Sequence, residues 1–310
     1  MKHRLEYLIV RALAFVLRLL PIGAVRACGA AIGRFAYLAD VRHRRIAFEN
    51  LAAAFPERSE ADRRAVARAV FAHFGRLLLE LLKFGAMSRD EMLRRVEFDG
   101  GERARAAYDE RRGILFFTGH FGYWEMHAIA HAAPGPHPLA VVARPLDNPL
   151  LERMLEQIRT CTGNTVIYRQ GGVRKILRAL AANRGVALLI DQHLISPDVV
   201  YVDFFGRPAA TTSALASLAL RTGAPVIPVF ALPLPRGRYR LIYEHPVPPP
   251  CANTPEAIQE FTQRCTNVLE VYVRRHPELW LWMHRRWRDP GRVAPPTGAA
   301  LADEVVDVDG

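Results

Sequence analysis

The 310-residue sequence is poor in lysine, in cysteine and in uninterrupted apolar runs. Only Lys2, Lys83 and Lys175 among its 42 cations are lysines, a bias that a GC-rich genome produces as readily as a preference for forked donors. Its four cysteines, Cys28, Cys161, Cys251 and Cys265, form no CxxC pair and have no neighbouring histidine pair. That excludes a zinc ribbon or a disulfide framework and fits a reducing, cytosol-facing compartment. There is no G-x-S-x-G nucleophile elbow and no G-x-x-x-x-G-K-S/T phosphate loop, which argues against a serine hydrolase and a P-loop enzyme. Disorder and collagen-like sequence are excluded by 50% apolar and 24% charged residues. The length suits one domain with extensions, or two small ones.

What is abundant is positive charge, a net of +11 with a pI near 10.0, which asks for an acidic partner such as phosphate on lipid or nucleic acid. The excess is N-terminal: residues 1–95 carry 18 basic and 9 acidic side chains, whereas 96–200 and 201–310 each carry 12 and 11. After the Pro/Gly-rich run Pro290–Gly298 come Asp303, Glu304, Asp307 and Asp309 with no base, and 290–310 reads as a disordered acidic tail.

From Leu5 to Leu20 the chain is nearly all aliphatic or aromatic, but Arg11 and Arg18 interrupt it, and roughly 20 clean apolar residues are needed to cross a bilayer. The same arginines break the apolar region of a secretory signal, and no A-x-A site follows convincingly. On a helical projection Arg11 and Arg18 share one face, with Leu8, Ala12, Phe15, Val16 and Leu19 on another. An anchor lying in or dipping into a membrane interface fits this better than a buried helix of a soluble protein, and Ile22–Ala39 thickens the same anchor. Residues 1–40 are therefore expected to be interfacial helices and 41–95 a basic helical region. In the latter, Ser59 caps a helix reaching about Phe84 with Leu77, Leu78, Leu81 and Leu82 on its core stripe, and Ser88 to Glu91 forms a capping box.

The texture changes at Val96. Short apolar runs at Val96–Phe98, Ile114–Thr118, Ala140–Ala143, Thr165–Tyr168, Val186–Ile190, Val199–Phe205, Val226–Ala231 and Tyr239–Glu244 alternate with helical periods. This predicts an α/β fold over 96–289, a layered, partly parallel mixed sheet flanked by helices.

In such sheets reactive groups gather where strands end and helices begin. Ile114–Thr118 runs directly into Gly119-His120-Phe121-Gly122-Tyr123-Trp124-Glu125. The glycines let the chain turn sharply and let a substrate approach, and a carboxylate five residues on can reach back to the ring. His120 is thus a candidate general base, with Glu125 fixing its tautomer. The competing reading is a capping histidine beside an acid placed for the helix dipole. Phe204, Phe205, Trp280, Trp282 and Trp287 either line an acyl groove, sit at a membrane interface, or pack the core.

Gly119-His120-Phe121-Gly122-x-Trp124-Glu125 resembles the H-x4-D/E motif of glycerolipid acyltransferases, in the form found in the lipid A late acyltransferases and the related phosphatidylinositol mannoside acyltransferases. Further blocks resemble that family in order: Asn50-Leu51 with Phe55-Pro56; Arg144-Pro145 to Leu150; Asp203 to Ala209 with Thr211-Thr212; Thr222 to Pro228; and His276 to Trp287. Together they span about residues 5–288.

The resemblance implies that His120 deprotonates an acceptor hydroxyl for attack on an acyl thioester, with Glu125 as its partner. It places a functional arginine at Arg159, fifteen residues after Arg144, and an acid at Asp191. Arg144 and Arg207 are substrate-binding candidates that read equally well as surface arginines. Where some members have D-H-D, this chain has Asp191-Gln192-His193, and the commoner Asn of G-N-W-E is Tyr123, expected to shape the acceptor site. Direct transfer needs no metal and no cofactor beyond the donor, acyl-carrier protein or acyl-CoA; backbone N–H groups of the Gly119–Glu125 turn or Arg159 are the candidate oxyanion donors. The acceptor implied is a phosphorylated glycolipid of the lipid A type, at the cytoplasmic face of the inner membrane, with a phosphatidylinositol mannoside or a lysophospholipid as alternatives. A nucleic-acid-binding protein is the reading from another class; the +9 of residues 1–95 supports it, and the lack of any RRM, KH, zinc-finger or helix-turn-helix signature opposes it.

Overall fold

The computed structural model describes residues 1–135, 137–168, 171–194 and 199–287; the acidic tail expected over 290–310 lies outside them. Four helices lead the chain: α1 (Lys2–Leu19), α2 (Ile22–Ala39), α3 (Val41–Ala54) and α4 (Glu60–Phe84). Pro21 separates the first two, since proline cannot continue a helix and suits the start of the next. Ser59 caps α4 by accepting the Asp62 N–H at 3.1 Å, and Ser88 caps α5 (Arg89–Arg94) in the same way through Glu91. Then follow β1 (Val96–Asp99), α6 (Gly101–Asp109), β2 (Ile114–Thr118), α7 (Trp124–His131), β3 (Leu139–Val142), α8 (Pro149–Thr160), β4 (Thr165–Ile167), α9 (Gly172–Ala181) and β5 (Gly185–Leu189). The last stretch holds β6 (Val199–Phe204), β7 (Arg207–Thr212), α10 (Ala214–Thr222), β8 (Val226–Leu234), β9 (Arg238–Tyr243) and α11 (Pro255–Arg275).

Seven strands form one mixed sheet in the order β1-β9-β8-β2-β5-β3-β4, as the alternation of strands and helices predicts. β2 lies at its centre, parallel to both β8 and β5, while β9 runs antiparallel to β8. Its side chains alternate between two cores, because successive strand residues point to opposite faces. Ile114 and Phe116 pack with α4, α6 and α7, whereas Leu115 and Phe117 pack with α9, α10 and α11.

β7 was not expected from the sequence. It pairs with β6 as an antiparallel hairpin closed by Phe205 and Gly206, both with positive φ (58° and 72°), which is the conformation a two-residue hairpin turn requires. Phe205 tolerates it because the Glu270 carboxylate accepts its N–H at 2.8 Å and its ring is buried against Phe55 and Trp282. The aromatic set therefore resolves into core packing: Phe204, Phe205, Trp280 and Trp282 are all buried.

α1 and α2 turn most of their large apolar side chains outward. On α1, Leu8, Phe15, Val16 and Leu19 are exposed, the face expected from the helical projection, while Ala14 and Leu17 are buried. On α2, Ile32, Phe35 and Leu38 face outward, and by length and composition this helix is apolar enough to cross a membrane. The opposite face of α2 meets α4 backbone to backbone. Gly29 and Gly33 lie against Gly75 and its neighbours, and a Cβ on Gly33 would sit 2.0 Å from the Phe71 carbonyl oxygen. This small-xxx-small spacing is the one that lets two helices approach closely in a membrane-facing bundle. Leu78 of α4, expected on the core stripe, is 58% exposed instead, because the stripe turns with the helix and leaves it outside.

Gly33→Ala is expected to destabilise the fold by about 1–3 kcal/mol through overpacking. Gly23→Ala, where a Cβ meets nothing within 4 Å, is expected to be neutral or to stabilise by up to about 1 kcal/mol. Thermal unfolding of the two variants in the same detergent tests the contact; equal midpoints would refute it.

Candidate active site

The site forms where β2 and β5 end. These strands pair in parallel with Thr118 opposite Leu189, an offset of 71 residues, and the same offset two residues further on sets His120 opposite Asp191. The His120 ring Nδ1 lies 2.8 Å from one Asp191 oxygen, and its backbone N–H donates to the other at 2.7 Å. The indole N–H of Trp280 donates to that second oxygen as well, at 2.8 Å. Burial on its own raises the Asp191 carboxyl, but the facing imidazole and these donors outweigh it and hold it down at about 2. An ionised Asp191 fixes the proton on Nδ1 and leaves Nε2 as the basic nitrogen. Nε2 lies 3.5 Å from the Gln192 amide, and the ring edge meets Trp124 at 5.2 Å.

Glu125 does not hold His120, contrary to the local reading of the motif. It lies in the first turn of α7 and faces α8, where Arg159 grips it with two nitrogens, Nε at 2.9 Å. Both side chains are nearly buried, and Glu152 stands 4.0 Å from the remaining Arg159 nitrogen, which has no hydrogen-bond acceptor among the described residues. Arg159 is thus the predicted arginine that the structure brings to the motif. Arg144 and Arg207 are exposed, and the Arg207 guanidinium lies over the Trp287 ring at 5.3 Å. The block after Arg144 has a structural task, since Asn148 caps α8 and also donates to the His3 carbonyl and to Glu6 of α1.

Tyr123, expected at the acceptor site, is wholly buried and points the other way. Its hydroxyl donates to Glu80 of α4 at 2.9 Å, as does that of Tyr239, and Arg26 of α2 completes the set at 3.1 Å. Burial raises the Glu80 carboxyl, against the pull of Arg26 and the two hydroxyls. Two turns earlier on the same helix, the buried His73 ring lies 3.1 Å from the Gly122 carbonyl. One stripe of α4 therefore grips the His120 loop at Gly122 and Tyr123.

From the opposite side the loop is held by the segment after α11. The Gly122 N–H donates to Leu279, Leu281 donates to the His120 carbonyl, and the His284 ring accepts the His193 N–H. Arg286, wholly buried, donates to the Ala210 carbonyl and the Thr211 hydroxyl and reaches the Gln192 carbonyl at 3.4 Å. Burial lowers its guanidinium to about 10. The basic tail of the final motif block carries no clue that this arginine is interior, so the sequence reading missed it. The amides of His120, Phe121, Gly122 and Tyr123 donate to Asp191 and to the carbonyls of Gly119, Leu279 and Ala231, which removes four of the backbone donors expected for an oxyanion. No group of three or more His, Cys, Asp or Glu able to hold a metal is found among the described residues.

Residues 2–289 match the sequence model of the bacterial lipid A biosynthesis acyltransferases, and the chain belongs to that family. It is an acyltransferase. Among its relatives is the lipid A biosynthesis lauroyltransferase of Escherichia coli (strain K12), 28% identical over 271 residues, or 87% of each chain. The lipid A biosynthesis myristoyltransferase of the same strain is 26% identical over 270 residues, 86% of this chain and 82% of the relative. The crystal structure of the 1-acyl-sn-glycerophosphate acyltransferase PlsC from Thermotoga maritima aligns with 17% identity and a TM-score of 0.37, over 81% of this chain and 96% of that one.

Three histidines near the loop, His73 and His127 buried and His131 half-buried, bear on the acid stability. Burial pushes His73, His127 and His131 down to about 3 from an ordinary 6.5. In the unfolded chain they take up protons as pH falls through 6.5, while in the native protein they stay neutral to about 3. Stability is therefore lost across that window, by about 1.4 kcal/mol per pH unit for each group. Asp191 acts lower, its contribution present above pH 3.8 and lost toward 2. Urea unfolding is expected to show a steep loss between pH 6 and pH 4; an unchanged midpoint would contradict the burial of these rings.

Proposed function

We propose that the chain transfers a fatty acyl group from a thioester of acyl-carrier protein or coenzyme A to a hydroxyl of a phosphorylated glycolipid of the lipid A type, with His120 as general base. The observation that carries this reading is the 2.8 Å contact between His120 Nδ1 and an ionised, buried Asp191. Nε2 takes the proton of the acceptor hydroxyl as its oxygen attacks the thioester carbonyl. The tetrahedral intermediate collapses, the C–S bond breaks, and the imidazolium returns the proton to the departing thiolate. Asp191 stabilises the imidazolium in between. Arg159, with one nitrogen lacking a hydrogen-bond acceptor among the described residues, is the remaining candidate donor for the oxyanion, and Glu125 is the group that positions it. The relatives' names favour a lipid A acceptor.

A reaction at the bilayer surface is supported by the outward apolar faces of α1 and α2, where Leu19 is 74% and Phe35 71% exposed. The site proposed with it is the cytoplasmic face of the inner membrane, a reading supported by those apolar faces together with an acyl-carrier protein or coenzyme A donor.

His120→Ala is expected to lower acyl transfer by about 10²–10⁴-fold with an unchanged melting temperature. Asp191→Asn is expected to lose a comparable factor and to alter the pH profile of kcat, because the ring loses its tautomer constraint. Full activity in purified His120→Ala would remove the base from this mechanism. Glu125→Ala differs in kind: it leaves Arg159 buried beside Glu152 alone, so it is expected to cost about 3–5 kcal/mol of stability as well as activity. Mass spectrometry of the glycolipids of a deletion strain is expected to show the loss of one acyl mass from lipid A; an unchanged lipid A with altered mannosides or phospholipids would point to those acceptors.

A further inference from the structure

Away from His120, the end of α5 and the turn joining β8 to β9 enclose a cleft of about 750 Å³, lined by Glu91, Arg94, Arg95, Pro235, Arg236 and Arg238. Arg95 pairs with Glu91 at 3.4 Å, and Arg238 shares Glu97 with Arg240. Arg94 and Arg236 are exposed and have no ion pair among the described residues. Arg236 is held in the left-handed region, φ 60° and ψ 27°, a backbone cost that glycine would not carry. Four guanidinium groups thus converge on one concave surface with two carboxylates between them, one of them shared with a fifth arginine. Planar forks of this kind match phosphate oxygens in pairs.

The position of the cleft selects the source of the phosphate. β1 begins beside Tyr239 and β8 ends opposite Arg238, so the cleft sits on the sheet end at which β2 delivers His120. Its floor abuts the membrane-facing helices, because Gly237 packs so closely on Ile22 that a Cβ there would lie 2.6 Å away. Ile22 opens α2 next to the corner where Leu19 is exposed. A bilayer plane that takes up this corner meets the cleft at head-group height. We propose that the Arg94, Arg95, Arg236 and Arg238 cleft binds the phosphate of anionic membrane lipids and so sets how the enzyme sits on the bilayer. This rests on the reading of α1 and α2 as bilayer-facing.

Flotation of the full chain with phosphatidylcholine vesicles, and with vesicles also containing phosphatidylglycerol, separates the two. Binding to the neutral vesicles reports the apolar helices; the added affinity for the anionic ones reports the cleft. At low salt Arg94→Gln/Arg236→Gln is expected to weaken partitioning onto the phosphatidylglycerol vesicles by about thirtyfold, with neutral partitioning and the melting temperature unchanged. Arg178→Gln/Arg221→Gln removes the same charge from the opposite end of the sheet and is expected to keep most of the anionic preference. A cleft variant that retains the preference, or a control that loses as much, overturns the proposal. So does a cleft variant that loses only the binding of acidic acyl-carrier protein, which would make the surface a protein site.

Discussion

One buried carboxylate holds the candidate active site together. Asp191 receives the His120 ring, the His120 amide and the Trp280 indole, and these three donors come from the end of one strand and from the segment after the last helix. Burying an ionised carboxylate is unfavourable unless each lone pair finds a donor, so any arrangement that releases one of them exposes the others to that cost. The parallel register of β2 and β5 supplies the first two donors and the close of the chain supplies the third. The Asp191 cluster is therefore complete only when the segment after α11 is in place.

A second constraint comes from the other side. α4 presents His73 and Glu80 two turns apart to the His120 loop, while its Gly75 face accepts α2. The apolar helix α2 and the His120 loop thus share one wall. Glu80 is wholly buried with two tyrosine hydroxyls and one arginine around it, a network in which each member stabilises the next through a low-dielectric interior.

Apart from β7, the strands and helices from Val96 on, the caps at Ser59 and Ser88, and the outward face of α1 were legible because each is written in local periodicity or capping chemistry. His120 was legible for the same reason, as a histidine between glycines at a strand end. Its partner was not. A spacing of five suggested Glu125, whereas the actual pairing spans 71 residues and depends on strand register, which no local pattern encodes. Asp191 itself was named through the family resemblance, as a substrate-binding acid; its pairing with His120 could have been found by extending the two central strands equally. Tyr123 and Arg286 were misread or missed because burial, not residue type, decides their role; an arginine in a basic run and a tyrosine in a catalytic loop both look exposed on paper. β7 escaped notice because Arg207-Pro208 opens it, and proline is tolerated in a strand only at an edge or at its start.

The contact between Arg26 and Glu80 bears on how the protein can be handled. Hydrophobic leaders of membrane-bound enzymes are commonly cut away to obtain a soluble catalytic fragment. Here such a cut before α3 would strip Arg26 from a buried carboxylate, uncover the backbone around Gly75, and remove the Leu17 and Arg18 carbonyls that Lys83 serves. The first two helices are an inner wall of the enzyme as well as its proposed contact with lipid, and a protease site cannot take away one without the other.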